Sequence, residues 1–290
     1  MTPNYYKPSN YINALGHVLA MLASLLVGAL LAYAYGCIII IIPSIYINAL
    51  LCFGVSVVLA MLIRVFIRLF RLRNTKSVLA LTILLPLVTY LFQWCVYIYF
   101  ILFEGLPNPL DYLEAIHTIT LTPSIFTNTL VELYTYGGWT VFGVQIFGFG
   151  IVAVWLIEFG LMMGIPLSVI LRYDYYPFAE RSKTWYPKYI LHQDFESIPS
   201  SMGISQAMHE NALKTISELK KGIGTRHTKV ELYYHELEPV QYISLNKHTI
   251  GTNGRDHNKE YIVKNLAIST QMARDIMKQF PHKRERTHIF

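Results

Sequence analysis

The chain has 290 residues, of which 53% are apolar and 14% charged, with a formal net charge of +6. Soluble globular proteins carry roughly 25% charged residues, so a fold exposed to water over its whole length is excluded. The shortfall is local: only 5 of the 18 acids and 6 of the 24 bases precede residue 172. The composition therefore describes an α-helical polytopic membrane protein, with about four transmembrane helices in residues 1–171 and a small α/β cytosolic C-terminal domain.

No formal charge falls between Lys7 and Arg64, and that gap holds two spans, because about 20 residues cross the hydrocarbon core. They are placed at 12–34 and 47–69. The apolar connector from Gly36 to Asn48, with Pro43 ending a run of isoleucines, is expected to dip into the bilayer. Ala32-Tyr33-Ala34 has the form of a signal-peptidase site, but the chain after it stays apolar, which favours a retained span. Small residues recur at every fourth position of span one: Gly16, Ala20, Ser24, Gly28 and Ala32. Such a stripe lets helix backbones approach closely. It is expected to pack on span four, where Gly160 and Gly164 offer a second small-residue patch, or to form an oligomer interface.

Arg64, Arg68, Arg71, Arg73 and Lys76 separate spans two and three. By the positive-inside rule this loop is cytoplasmic. Span three follows at 77–103, with Pro86 as a kink. The loop 104–141 holds Glu104, Asp111, Glu114 and Glu132 but no Lys or Arg, as expected on the outer side. Two helical pieces are predicted there, Asn108 to Ile119 and Thr122 to Tyr136, the second with Thr122 as N-cap and Pro123 in first position. The second suits a helix lying at the membrane surface, as a structural cap over the bundle or, alternatively, a ligand-binding lid. Span four is placed at 142–171. Four spans put both termini in the cytoplasm, and a bacterial inner membrane is the expected location.

Glu158 stands near the middle of span four, where an acid is costly enough to mark a functional site. A proton or cation relay through it is one expectation, with His17 and Arg64 as intramembrane partners. The other is a carboxyl that only fixes helix register.

Residues 172–199 are crowded with Tyr, Phe, Trp, Lys and Arg and are expected to form an interfacial collar. Within them, Pro177 to Trp185 resembles one knuckle of a zinc ribbon, with Ala179 and Ser182 where the cysteines are needed. Without thiolates it cannot hold zinc. In the domain at 200–280, Ser205 starts a helix to about Lys221 with Met208, Ala212, Ile216 and Leu219 on one face. Thr228 to His235 and Val240 to Leu245 form a hairpin, Thr252-Asn253-Gly254 a turn, Glu260 to Ile268 a third strand, and Ser269 caps a last helix to about Phe280. The basic tail 281–290 is expected to be disordered.

Cys37, Cys52 and Cys95 lack any paired spacing, and the ten histidines lack zinc-ligand spacing. No metal or other cofactor is expected. The turn Gly251 to Gly254 lacks the Lys-Ser/Thr ending of a phosphate loop, and no catalytic set is legible. Lipid accounts for the juxtamembrane cations, so nucleic acid is not expected as a partner. The leading expectation is a membrane scaffold or assembly component whose cytosolic domain docks a protein partner. The alternative is a small oligomeric channel or transporter using Glu158.

Overall fold

The computed structural model describes residues 4–42, 44–141, 144–171, 176–198, 202–222, 224–250 and 256–285. They form two compact units, a helical one built on Asn10–Tyr173 and a sheet one that joins Met1–Ser9 to Asp174–His288.

The helical unit opens with α1 (Ala14–Ile41), α2 (Ile45–Leu69) and α3 (Thr75–Phe103). Two shorter helices follow, α4 (Pro109–Leu121) and α5 (Pro123–Tyr136), then a hairpin of β1 (Trp139–Val141) and β2 (Val144–Ile146), then α6 (Phe149–Leu171). Helices α1, α2, α3 and α6 are each long and apolar enough to cross a membrane. Their bounds differ from those predicted by two residues at the starts of α1, α2 and α3, and by more at two places. Helix α1 continues through Ala32, Gly36 and Cys37 to Ile41, because nothing in that apolar run breaks it before Ile42, so the connector to α2 is far shorter than the predicted Gly36 to Asn48. Helix α6 starts at Phe149 instead of 142, because Gly137 (φ +79°) and Gly148 (φ +61°) take left-handed conformations on either side of the hairpin and stop helix propagation.

Local capping sets the starts of α3 and α4. Asn74 accepts from the N–H groups of Lys76 and Ser77, and Asn108 forms a reciprocal capping box with Asp111 ahead of Pro109. Thr122 accepts no capping bond, so α5 starts on Pro123 alone.

The small-residue stripe is buried along its whole length, but with Gly28 against α3 and Gly16 against the end of α2, not on span four. A Cβ at Gly28 would stand 2.9 Å from Cγ1 of Val88, and one at Gly36 2.8 Å from Cβ of Val96. At Gly16 it would collide with the carbonyl oxygen of Phe70. Gly160 and Gly164 are not part of this contact: a Cβ at either meets nothing within 4 Å. Helix α6 instead lies against α2 and α3 with its other residues, Ile151, Met162 and Ile170 among them.

The sheet unit contains β3 (Phe178–Ala179), β4 (Thr184–Trp185), β5 (Lys188–Leu191), β6 (Phe195–Glu196), α7 (Met202–Glu218), β7 (Arg226–Tyr233), β8 (Val240–Ile250), β9 (Asp256–Ser269), α8 (Thr270–Gln279) and β10 (His282–Arg284). Six strands make one antiparallel sheet in the order β10-β5-β7-β8-β9, with β6 also on β7. Alternation along β7 sends Thr228, Val230 and Leu232 to one face, where Met208, Ala212 and Ile216 of α7 and Ala273 and Ile276 of α8 close the core. Ser269 caps α8 as predicted, accepting from Met272 N–H at 3.1 Å. Helix α7 is broken at Asn211 (φ −155°), whose side chain accepts from Lys214 N–H at 2.9 Å and restarts the helix.

Three features depart from the sequence reading. Residues 176–198 of the expected collar belong to the sheet unit, β5 being a central contributor. The tail expected to be disordered supplies β10, which pairs with β5 through His282 to Arg284. The N-terminal segment adds to the free edge of β9, with Tyr6 N–H donating to Asn265 O at 2.9 Å and Ala267 N–H to Asn4 O at 2.8 Å. The knuckle is a β3–β4 hairpin whose turn amides, Arg181 N–H and Ser182 N–H, both donate to Glu238. The turn at Thr252 to Gly254 lies outside the described residues.

The opposite face of the sheet carries a buried ion network. Glu231 Oε1 receives Lys188 Nζ at 2.7 Å and Lys259 Nζ at 2.9 Å, and Lys188 also meets Glu285 at 2.7 Å. Burial opposes the charge on Glu231, but the two lysines outweigh it and hold the carboxyl below the usual carboxylate range. Burial likewise opposes the charge on Lys188, and Glu231 reverses it, so that ammonium is held above its ordinary value.

Candidate functional site

Glu158 lies on α6, and its carboxyl meets groups from two other long helices. Tyr35 of α1 donates its hydroxyl to Glu158 Oε1 at 2.8 Å, and Gln93 of α3 donates Nε2 to the same oxygen at 3.1 Å. From α2, the Cys52 thiol donates to the backbone carbonyl of Glu158 at 3.7 Å. The close approach of α1 and α3 sets this up. Gly36 has no Cβ to hold Val96 away, so the neighbouring Tyr35 and the nearby Gln93 reach one carboxyl oxygen from two sides.

These groups border a cavity of about 170 Å³ lined from all four long helices. Asn48, one turn into α2, lines it as well. Its side chain is buried, and neither its amide nitrogen nor its amide oxygen has a hydrogen-bond partner. Both hydrogen bonds to the Glu158 carboxyl fall on Oε1. Trp94, Tyr97 and Trp155 supply aromatic wall, and no Lys, Arg or His is among the lining residues. Leaving a buried amide unsatisfied costs roughly 1–3 kcal/mol. Polar groups kept in that condition around a cavity mark a place built to receive something.

The cavity sits near one end of the bundle. Tyr35 is within two turns of the end of α1, Asn48 is in the first turn of α2, and Glu158 is in the first half of α6. The two partners expected for Glu158 are elsewhere. His17 is about 27 Å from Tyr35 along α1, and Arg64 about 18 Å from Cys52 along α2, at 1.5 Å of rise per residue. His17 Nδ1 is buried with no partner of its own, and Arg64 is exposed. Sequence reasoning missed Tyr35, Asn48 and Gln93. Asn48 and Gln93 carried a usable signal, as amides inside uncharged apolar runs. Tyr35 carried none, since tyrosine is common at both ends of spans.

Two ligating side chains, Glu158 and Cys52, fall short of a metal set, and among the described residues no group of three His, Cys, Asp or Glu side chains is placed to hold a metal ion. Comparisons with protein-family models, curated proteins and solved structures return no match to the chain.

Proposed function

We propose that this is an integral membrane protein, with α1, α2, α3 and α6 as spans, that binds a small solute or ion at the Glu158 cavity and acts as a small channel or transporter. The observation that carries the reading is that the whole buried amide of Asn48 is unpartnered beside one cavity that also holds the Glu158 carboxyl and to which all four long helices contribute. A carboxyl present only to fix register leaves no reason for Asn48 to stay unsatisfied next to it.

Two independent features support a topology with both termini in the cytoplasm. The five cations from Arg64 to Lys76 lie between α2 and α3. Residues before α1 fold into the same unit as residues after α6, which requires an even number of crossings. In that orientation the cavity lies in the outer half of the bilayer, at the end of the bundle where α3 passes into α4.

The docking of a protein partner by the sheet unit is the second reading, favoured by that unit having a core of its own. It carries less weight, because among the described residues of this unit the large apolar side chains left exposed are Tyr5, Leu237 and Val240, too few for an apolar docking patch.

The test is solute or ion flux in proteoliposomes. The wild-type chain is expected to discharge an imposed cation or proton gradient faster than empty liposomes, and Glu158→Gln, which keeps an acceptor for Tyr35 and Gln93, is expected to lose that flux. Equal flux in both proteins contradicts the reading.

A further inference from the structure

We infer that the Glu158 cavity takes a small primary ammonium ion bearing one ring or a short alkyl body, an inference that rests on this cavity being the functional centre. Three complementarities point to it. In charge, no lysine, arginine or histidine lines the cavity to balance Glu158 when it ionises, and an unbalanced charge away from water is costly. A ligand cation supplies the missing countercharge. In hydrogen bonding, Oδ1 of Asn48 is an unused acceptor beside the cavity and the donors to Glu158 both fall on Oε1, so a primary ammonium with three donors finds acceptor capacity there. In size and shape, about 170 Å³ is close to the roughly 150 Å³ that accommodates a benzene ring. The walls from Trp94, Tyr97 and Trp155 suit an apolar body and also favour a nearby cation through their ring faces. An inorganic cation lacks that body, and a neutral alcohol of the same size leaves the carboxylate unbalanced.

The experiment titrates the full chain in detergent with benzylammonium, benzyl alcohol and sodium ion, following tryptophan emission, since Trp94 and Trp155 line the cavity. Saturable binding of benzylammonium is expected, with benzyl alcohol weaker by at least about tenfold, as for loss of a hydrogen bond to a charged group. Sodium is expected to leave the emission unchanged. Glu158→Gln is expected to weaken benzylammonium by a similar factor, and Asn48→Leu, which keeps the side-chain atom count but removes the acceptor, to weaken it by roughly two- to tenfold while the chain stays folded. Equal affinity for the ammonium and the alcohol, unchanged in Glu158→Gln, overturns the inference and makes the cavity a neutral-solute site. Saturable sodium binding that excludes benzylammonium overturns it in favour of an inorganic cation. If neither organic probe binds while Glu158-dependent flux persists, the ligand class is wrong but the proposed function stands; loss of both overturns both.

Discussion

Asn48 and Glu158 set stability against binding at the level of single side chains. Asn48 holds two unsatisfied polar atoms in an apolar setting, so Asn48→Leu is expected to stabilise the helical unit by about 1–3 kcal/mol, read as a higher midpoint in thermal unfolding of the detergent-solubilised chain, while binding weakens. A lower midpoint would mean that Asn48 supports the fold. Glu231 is the opposite case, a buried acid satisfied by Lys188 and Lys259. Its carboxyl is held low by those lysines against burial, so its contribution is complete above the unfolded carboxylate value of about 4 and is lost as pH falls through the lower folded value. Melts of the sheet unit within the full chain are expected to be flat from neutrality to about pH 5 and to fall steeply below about pH 4. Glu231→Gln is expected to cost about 3 kcal/mol at pH 7 and to flatten that acid limb. Lys259 keeps part of its side chain in water, which holds the cost at the lower end of the range. Glu158 was legible in the sequence because a charge interrupts an apolar run. Neutral Asn48 and Gln93 interrupt hydropathy less, and only packing brings them together.

Among elements, the contact of α1 with α3 organises the helical unit. Val88 is β-branched and cannot turn away easily from a new side chain at Gly28. Gly28→Leu is therefore expected to destabilise by about 1–3 kcal/mol, seen as a lower thermal midpoint or lower yield, whereas Gly160→Leu, whose Cβ meets open space, is expected to leave the midpoint unchanged. Equal loss in the two variants contradicts the assigned packing. The stripe itself was plain in the sequence, but a row of small residues shows that a face is packed and not what packs on it. The same limit applies in the sheet unit. The strands β7, β8 and β9 announce themselves by alternation, while β10 is His282-Lys283-Arg284 and pairs through its backbone, which no side-chain pattern reports. Residues 4–6 join β9 in the same way, and that pairing spans nearly the whole chain.

Across the whole molecule, hydropathy and charge were enough to predict four long apolar helices and a C-terminal sheet domain, because the bilayer leaves helices as the means for such a chain to satisfy its backbone. The union of the segment before α1 with the segment after α6 in one folded unit was not legible, and it is what ties the number of crossings to an even value. The orientation of the bundle then decides from which side the Glu158 cavity is reached. The most direct test is labelling of single cysteines by a membrane-impermeant maleimide in intact cells, read over the background of the wild-type chain. One is placed at Asn128, exposed on α5, and the other at Lys214, exposed on α7. The expected result is that Asn128→Cys is labelled at once and Lys214→Cys only after permeabilisation. Labelling of both from the same side, or of Lys214→Cys alone from outside, would contradict four spans with cytoplasmic ends and an outward-facing cavity.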